Sequence, residues 1–193
     1  RCALMAAYQY LVLGTIGATF ILIGIGFMYM MTGTLNMADL ATQLESVKNT
    51  LTIITAFAFL SVGISLKLAL FPLHMWLPNA YVYAPSVVTA FLAATATKVS
   101  IYVLLRFTFT LFGTDFSFET LRLDAIILPL ALIGIFVGSI IAVFQNNIKR
   151  MLAYSSVAQI GYMILGISFV SLNGLTGGIV HLFNHALMKG ALF

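Results

Sequence analysis

Charge is what this sequence has least of. Only 7% of its 193 residues are Asp, Glu, Lys or Arg, while 62% are hydrophobic; a water-soluble domain carries about a quarter charged residues. So little polar surface excludes water as the solvent and leaves lipid. A single cysteine, Cys2, excludes an internal disulfide framework and is silent on compartment. No basic run exists that could track phosphates, and a net charge of +4 does not suggest nucleic-acid binding. No cysteine cluster or nucleotide motif is present to carry electrons, so neither a cofactor nor an active site of its own is expected. The most informative absence is local: all five acidic residues, Asp39, Glu45, Asp115, Glu119 and Asp124, fall outside the long apolar stretches.

Those stretches set the fold class. A membrane-crossing helix needs roughly 20 apolar residues for a hydrocarbon core of about 30 Å. Segments near 8–31, 50–71, 85–112, 125–144 and 151–170 qualify, and Asn173-Gly174 opens a sixth. The expectation is an all-α, polytopic transmembrane helix bundle of about six helices, one of them broken at Pro72. Gly14, Gly17, Gly24 and Gly26 offer small-residue packing surfaces on the first helix. The polar stretch 32–49 reads as a short interfacial helix capped by Asn36. Trp76, Tyr81 and Tyr83, between Pro72 and Pro85, suit the headgroup zone, and 113–124 reads as a wet loop. Loop charge ties, with Arg1, Lys149 and Arg150 on one side and Lys48, Arg106 and Arg122 on the other, so orientation stays open. The chain opens on Arg1 and closes inside an apolar helical pattern without a stop signal. A fragment of a longer polypeptide is therefore expected.

Ionisable residues inside a membrane are costly and mark function by default. Lys98 lies about thirteen residues into its span, roughly 20 Å from the Pro85 end at 1.5 Å per residue. That is too deep for its stem to reach an interface; the bland alternative is a lysine bonded to neighbouring carbonyls. Lys67 sits five residues before Pro72, where snorkelling competes. Pro72 leaves the Leu68 carbonyl without its helical partner, so a free dipole and room for water appear beside the ammonium. Broken helices of this kind line ion sites in transporters. His181, His185 and Lys189 fall at i, i+4 and i+8, on one face in steps of about 6 Å. A water-joined ladder of such groups suits a proton relay, because imidazole both accepts and donates near neutral pH. Two satisfied histidines in a polar interior would give the same spacing. A metal pair is a third reading, but it lacks a nearby third ligand, and no metal is expected. His74 is a secondary candidate, of a kind more often exposed or capping near the interface. Tyr154 and Ser155 are secondary candidates on the polar half of the fifth span, with Ser156, Gln159 and Tyr162. Lys149 and Arg150 read as solvated anchors. A row of ammonium groups without a carboxylate leaves like charges facing one another. The missing carboxylate is expected elsewhere in the chain or in a neighbouring membrane subunit.

Three stretches carry a more specific signal: KLALFPLHMWLPNA at 67–80, KRMLAYSSVAQIGY at 149–162 and HLFNHALMK at 181–189. Together, in this order, they resemble the antiporter-like family. Its members are the large membrane subunits of respiratory complex I, of membrane-bound hydrogenases and of Mrp-type cation/proton antiporters. Within it, the segment from YLVLG at 10–14 through TGTLNM at 32–37, and ATATKV at 94–99, look most like the D subunit of Mrp antiporters. The resemblance implies a larger protein of inverted repeats. Residues 1–112 would be the end of the first repeat, with three helices, and 113–193 the start of the second. It implies proton half-channels meeting along a hydrated mid-membrane axis, and a glutamate outside this sequence that pairs with the lysine matched by Lys67. The implied function is exchange of sodium or potassium for protons in a Mrp-type assembly, through a relay of Lys67, Lys98, His181, His185 and Lys189. A proton-pumping subunit of complex I or of a membrane-bound hydrogenase is the alternative. A plain membrane scaffold is the third reading, which the buried lysines oppose. Other membrane subunits are the implied partners, and a bacterial inner (plasma) membrane the implied location.

Overall fold

Thirty-one residues without one charge, Cys2–Thr32, form α1, which Gly33 ends in the left-handed conformation at φ 71° with its N–H on the Tyr29 carbonyl. The computed structural model describes residues 1–193 and is all-helical. Asn36 caps the short amphipathic α2 (Met37–Val47): its Oδ1 accepts from the Ala38 N–H at 3.0 Å, and Leu40 and Leu44 face inward. Next come α3 (Leu51–Leu68), α4 (Trp76–Tyr83) and α5 (Ser86–Leu105), which widens into a π-helical turn to Leu111. After a second wide turn come α6 (Leu123–Val143), α7 (Ile148–Ser168) and α8 (Leu172–Leu192). Five of these, α1, α3, α5 with its extension, α6 and α7, are long and apolar enough to cross a membrane. The chain is an integral, multi-pass membrane protein. At 21 residues α8 is as long as α6 and α7, and its two histidines, one lysine and two asparagines make it more polar than α6.

Helices pair where backbones can approach. α1 packs along α3, α6 along α7, and α8 lies against both α5 and α7, while α4 bridges α1 and α7. Of the four glycines expected to pack on α1, only two do. A Cβ at Gly17 would sit 3.3 Å from the Gly63 carbonyl of α3, and one at Gly24 3.0 Å from that of Ala56. Gly14 and Gly26 have nothing within 4 Å. The seven-residue spacing of Gly17 and Gly24 returns them to one face, while Gly26 points away from it.

The helix break departs from expectation. α3 stops at Leu68, four residues before Pro72, because Ala69 turns left-handed (φ 61°) and the Leu70 N–H returns to the Ser65 carbonyl at 3.0 Å. The carbonyls of Lys67 and Leu68 are left without a backbone partner. Instead of a headgroup link, residues 76–83 form a helix that buries Trp76 and Tyr81; of the three aromatics, Tyr83 alone is exposed. Burial is tolerated because each polar tip finds a carbonyl. The Trp76 indole N–H donates to Leu66 at 3.0 Å, and the Tyr81 hydroxyl to Leu92 at 3.4 Å. The wet loop is also partly dry, since Phe116 and Phe118 are buried and Phe116 stacks on Phe112 beside Phe57. Lys149 and Arg150 are not solvated anchors. Lys149 Nζ caps the Ala84 carbonyl at the end of α4 (3.5 Å). Arg150 Nη2 donates to Asn79 Oδ1 (3.4 Å), whose amide donates to Gln9 Oε1 (3.0 Å). A helix end with unsatisfied carbonyls attracts such cations.

Candidate functional site: a buried basic row

The inward face of α5 repeats every four residues through Thr89, Ala93, Thr97 and Ile101. Lys98 flanks it and is only 6% exposed. Helical side chains lean toward the N-terminus, so Lys98 Nζ folds back to donate to the Ala93 carbonyl and, at 3.3 Å, to Thr97 Oγ1. At this level α8 crosses α5: a Cβ on Gly190 would lie 3.5 Å from that of Ala94. Lys189 is therefore brought to the same crossing. It is 3% exposed and donates across to the Leu152 carbonyl of α7 at 2.8 Å, with the Phe193 ring 5.8 Å from its Nζ. That carbonyl also accepts Ser156 Oγ at 3.0 Å.

One turn back along α8, His185 has no exposure at all, and neither ring nitrogen has a hydrogen-bond partner. Its ring lies parallel to His181, 8° apart in plane at 6.1 Å, and His181 meets the edge of Tyr162 at 6.2 Å. Lys98, His181, His185 and Lys189 thus form one cluster whose members lie within reach of each other's charge. No acidic residue lies on α5, α7 or α8. The ammonium groups are held by carbonyl and hydroxyl dipoles alone, as the bland reading of Lys98 supposed. What that reading does not explain is the unpartnered imidazole one turn from Lys189, since buried polar nitrogens are rarely left unbonded.

Lys67 stands apart. It is exposed and borders a hollow of about 180 Å³ lined by Tyr10, Gly14, Leu66, Trp76, Ala96 and Ser100. Ala96 and Ser100 lie on the side of α5 away from Lys98, so α5 separates Lys67 from the cluster. His74 is not an exposed or capping residue: it is 5% exposed, stacked on Phe71 at 5.2 Å, with Nδ1 unpartnered. The cause is the early break, after which the Leu73 N–H bonds the Leu70 carbonyl and the chain tucks inward. Pro72 itself is exposed. Tyr154 and Ser155 are half-buried. Their neighbour Ser156 is the one that reaches the row, through the shared Leu152 carbonyl. Neither that carbonyl nor Thr97 was singled out from sequence, because a backbone acceptor has no residue-type signal and a threonine is common on a membrane helix.

Residues 2–193 match the profile of the family described as NADH:quinone oxidoreductase/Mrp antiporter, TM. The chain is 46% identical, over its whole length, to NADH-quinone oxidoreductase subunit N of Desulforudis audaxviator. It is 35% identical, over 98% of its length, to the D subunit of the Na(+)/H(+) antiporter of Alkalihalophilus pseudofirmus. It spans 38% of either relative. Among solved structures, a chain of the Mrp complex from a Dietzia species superposes with TM-score 0.86 at 29% identity, over 98% of this chain and 34% of that one.

Proposed function

This chain belongs to the NADH:quinone oxidoreductase/Mrp antiporter transmembrane family, and on that premise we propose that it carries protons within a multi-subunit membrane complex. The observation that supports this most is the set of three bases closed off from solvent, Lys98, His185 and Lys189, without a carboxylate on their helices. Each uncompensated charge at depth costs several kcal/mol, a burden that a scaffold has no use for. A proton on Lys98 repels one on Lys189, so filling one site promotes release from the other. His185, one turn from Lys189, has both nitrogens free to take and pass a proton through water. Lys67, beside two unpartnered carbonyls, is the entry or exit group on the far side of α5. In this reading residues 1–112 and 113–193 are the end and the start of successive repeats, and the membrane is a bacterial inner membrane.

Two energy sources fit. Identity favours a redox-driven pump, 46% to a quinone oxidoreductase subunit against 35% to an antiporter subunit. The fold match does not separate the two, since a chain of the Mrp complex and one of an archaeal respiratory membrane complex, the membrane-bound sulfane sulfur reductase, superpose equally well at TM-score 0.86. The complete assembly, reconstituted in sealed vesicles, separates them. The expected result is proton movement driven by quinone-linked electron transfer, in a complex containing iron–sulfur or flavin subunits. Proton movement driven by a sodium or potassium gradient without redox subunits selects the antiporter instead. An intact complex that moves protons under neither drive overturns the proposal.

A further inference from the structure

α1 and α5 both pack on α3, and a slot remains between them. Ile21, Ile25 and Met28, at i, i+4 and i+7, turn one face of α1 to it, and Leu60 and Ile64 of α3 form its floor. Val103 and Phe107 form the facing wall, while Leu35, Met37 and Leu40, where the chain enters α2, bound one end. The hollow measures about 490 Å³, the size of a small-molecule site. It runs from the level of Ile21 to that of Thr34, at least ~16 Å along α1 at 1.5 Å per residue. Its mean section is therefore roughly 30 Å², against ~80 Å² or more for a helix about 10–12 Å across with its side chains. A flexible acyl chain fits such a slot; a further helix does not.

Its polar groups gather at one end. Tyr102 and Arg106 stand one turn apart on α5 and its extension, both exposed, and no carboxylate lines the hollow beside them. Arg106 lies five residues before the end of its span, at interface depth. The amphipathic α2 packs on the same extension, which brings the link at Thr34 to that end. Thr34 Oγ1 accepts the Asn36 N–H at 3.2 Å, so its own O–H is free to donate outward. Three donors, one of them cationic, thus ring the mouth of an apolar slot. A guanidinium grips a phosphate with two parallel N–H donors, and basic pockets between membrane helices take anionic lipid headgroups.

We infer that this slot holds one acyl chain of an anionic phospholipid, with the lipid phosphate on Arg106 and the Thr34 and Tyr102 hydroxyls beside it. The site stands apart from the basic row and does not depend on what that row carries. Arg106→Gln removes the charge at an exposed position, and Val103→Trp fills the slot from a residue that is 43% exposed. The complete assembly is stripped of lipid in detergent and titrated with phosphatidylglycerol, or with phosphatidylcholine of the same acyl chains, and native mass spectrometry counts the lipid bound. Wild type is expected to hold one phosphatidylglycerol more per copy of this chain than either variant. It is expected to bind it at a concentration at least about tenfold below that needed for phosphatidylcholine, because a hydrogen bond to a charged group contributes that factor or more. Glycerol phosphate, a headgroup without chains, is expected not to compete, which separates a lipid from a free phosphate. Equal retention by wild type and Arg106→Gln, or no preference between the two lipids, overturns the assignment. So does competition by glycerol phosphate, or failure of Val103→Trp to assemble, which puts a protein segment in the slot.

Discussion

Replacing Lys98 by methionine is expected to abolish proton translocation by the complete assembly while leaving the assembly intact. Methionine nearly matches the lysine stem and fills the same slot on α5 without a charge. The wild-type ammonium is 6% exposed and has no carboxylate on α5, α7 or α8; its contacts are the Ala93 carbonyl and Thr97. Replacing buried ions with well-packed apolar groups is often neutral or stabilising, by on the order of 1 kcal/mol or more. Stability is therefore expected to hold or rise, whereas flux falls to background because no other titratable side chain occupies α5 at this depth. Flux assayed by a pH-sensitive dye in sealed vesicles, beside the melting temperature of the complex, checks both halves. A variant that misfolds would mean that the lysine serves packing.

The second large effect is structural. A Cβ at Gly138 would lie 2.9 Å from the amide nitrogen of Ala158 and 3.3 Å from its Cα, so α6 and α7 touch backbone to backbone. Gly138→Leu inserts four carbons where no side chain can move aside. Extra methylenes in a packed interior cost about 1–3 kcal/mol, and here the obstacle is main chain, so the loss is expected above that range. Because α7 supplies the Leu152 carbonyl to Lys189, displacement of α7 also disturbs the row. Gly26→Leu, with nothing within 4 Å, is expected to be tolerated. Thermal unfolding of the two purified variants makes the comparison. Equal stability would show that the α6–α7 contact is looser than its geometry.

Much of this was legible beforehand because lipid imposes few solutions. Uninterrupted apolar runs fixed the spans, Asn36 marked a helix start, and the spacing of His181, His185 and Lys189 gave their common face. The motifs at 67–80, 149–162 and 181–189 carried the family. What escaped depends on partners distant in sequence. Trp76 and Tyr81 have the side chains of headgroup residues, and only the carbonyls of Leu66 and Leu92 made them interior ones. His74 was drawn inward by a turn at Ala69, a residue with no turn signal of its own. Thr97 looked like one more small residue of a membrane helix until Lys98 folded back onto it. The choice of the Mrp D subunit within the family drew on short segments, whereas identity over the whole chain is higher to a quinone oxidoreductase subunit, 46% against 35%.

The central claim is that the buried basic row exists for proton movement and not for the fold. Lys189→Met tests it most directly, because Lys189 is the member that ties α8 to α7 through the Leu152 carbonyl at 2.8 Å. In the complete assembly, flux and melting temperature are measured on the same preparation. Lost flux at equal or higher melting temperature is the expected result; wild-type flux, or lost flux only because the complex falls apart, would contradict it.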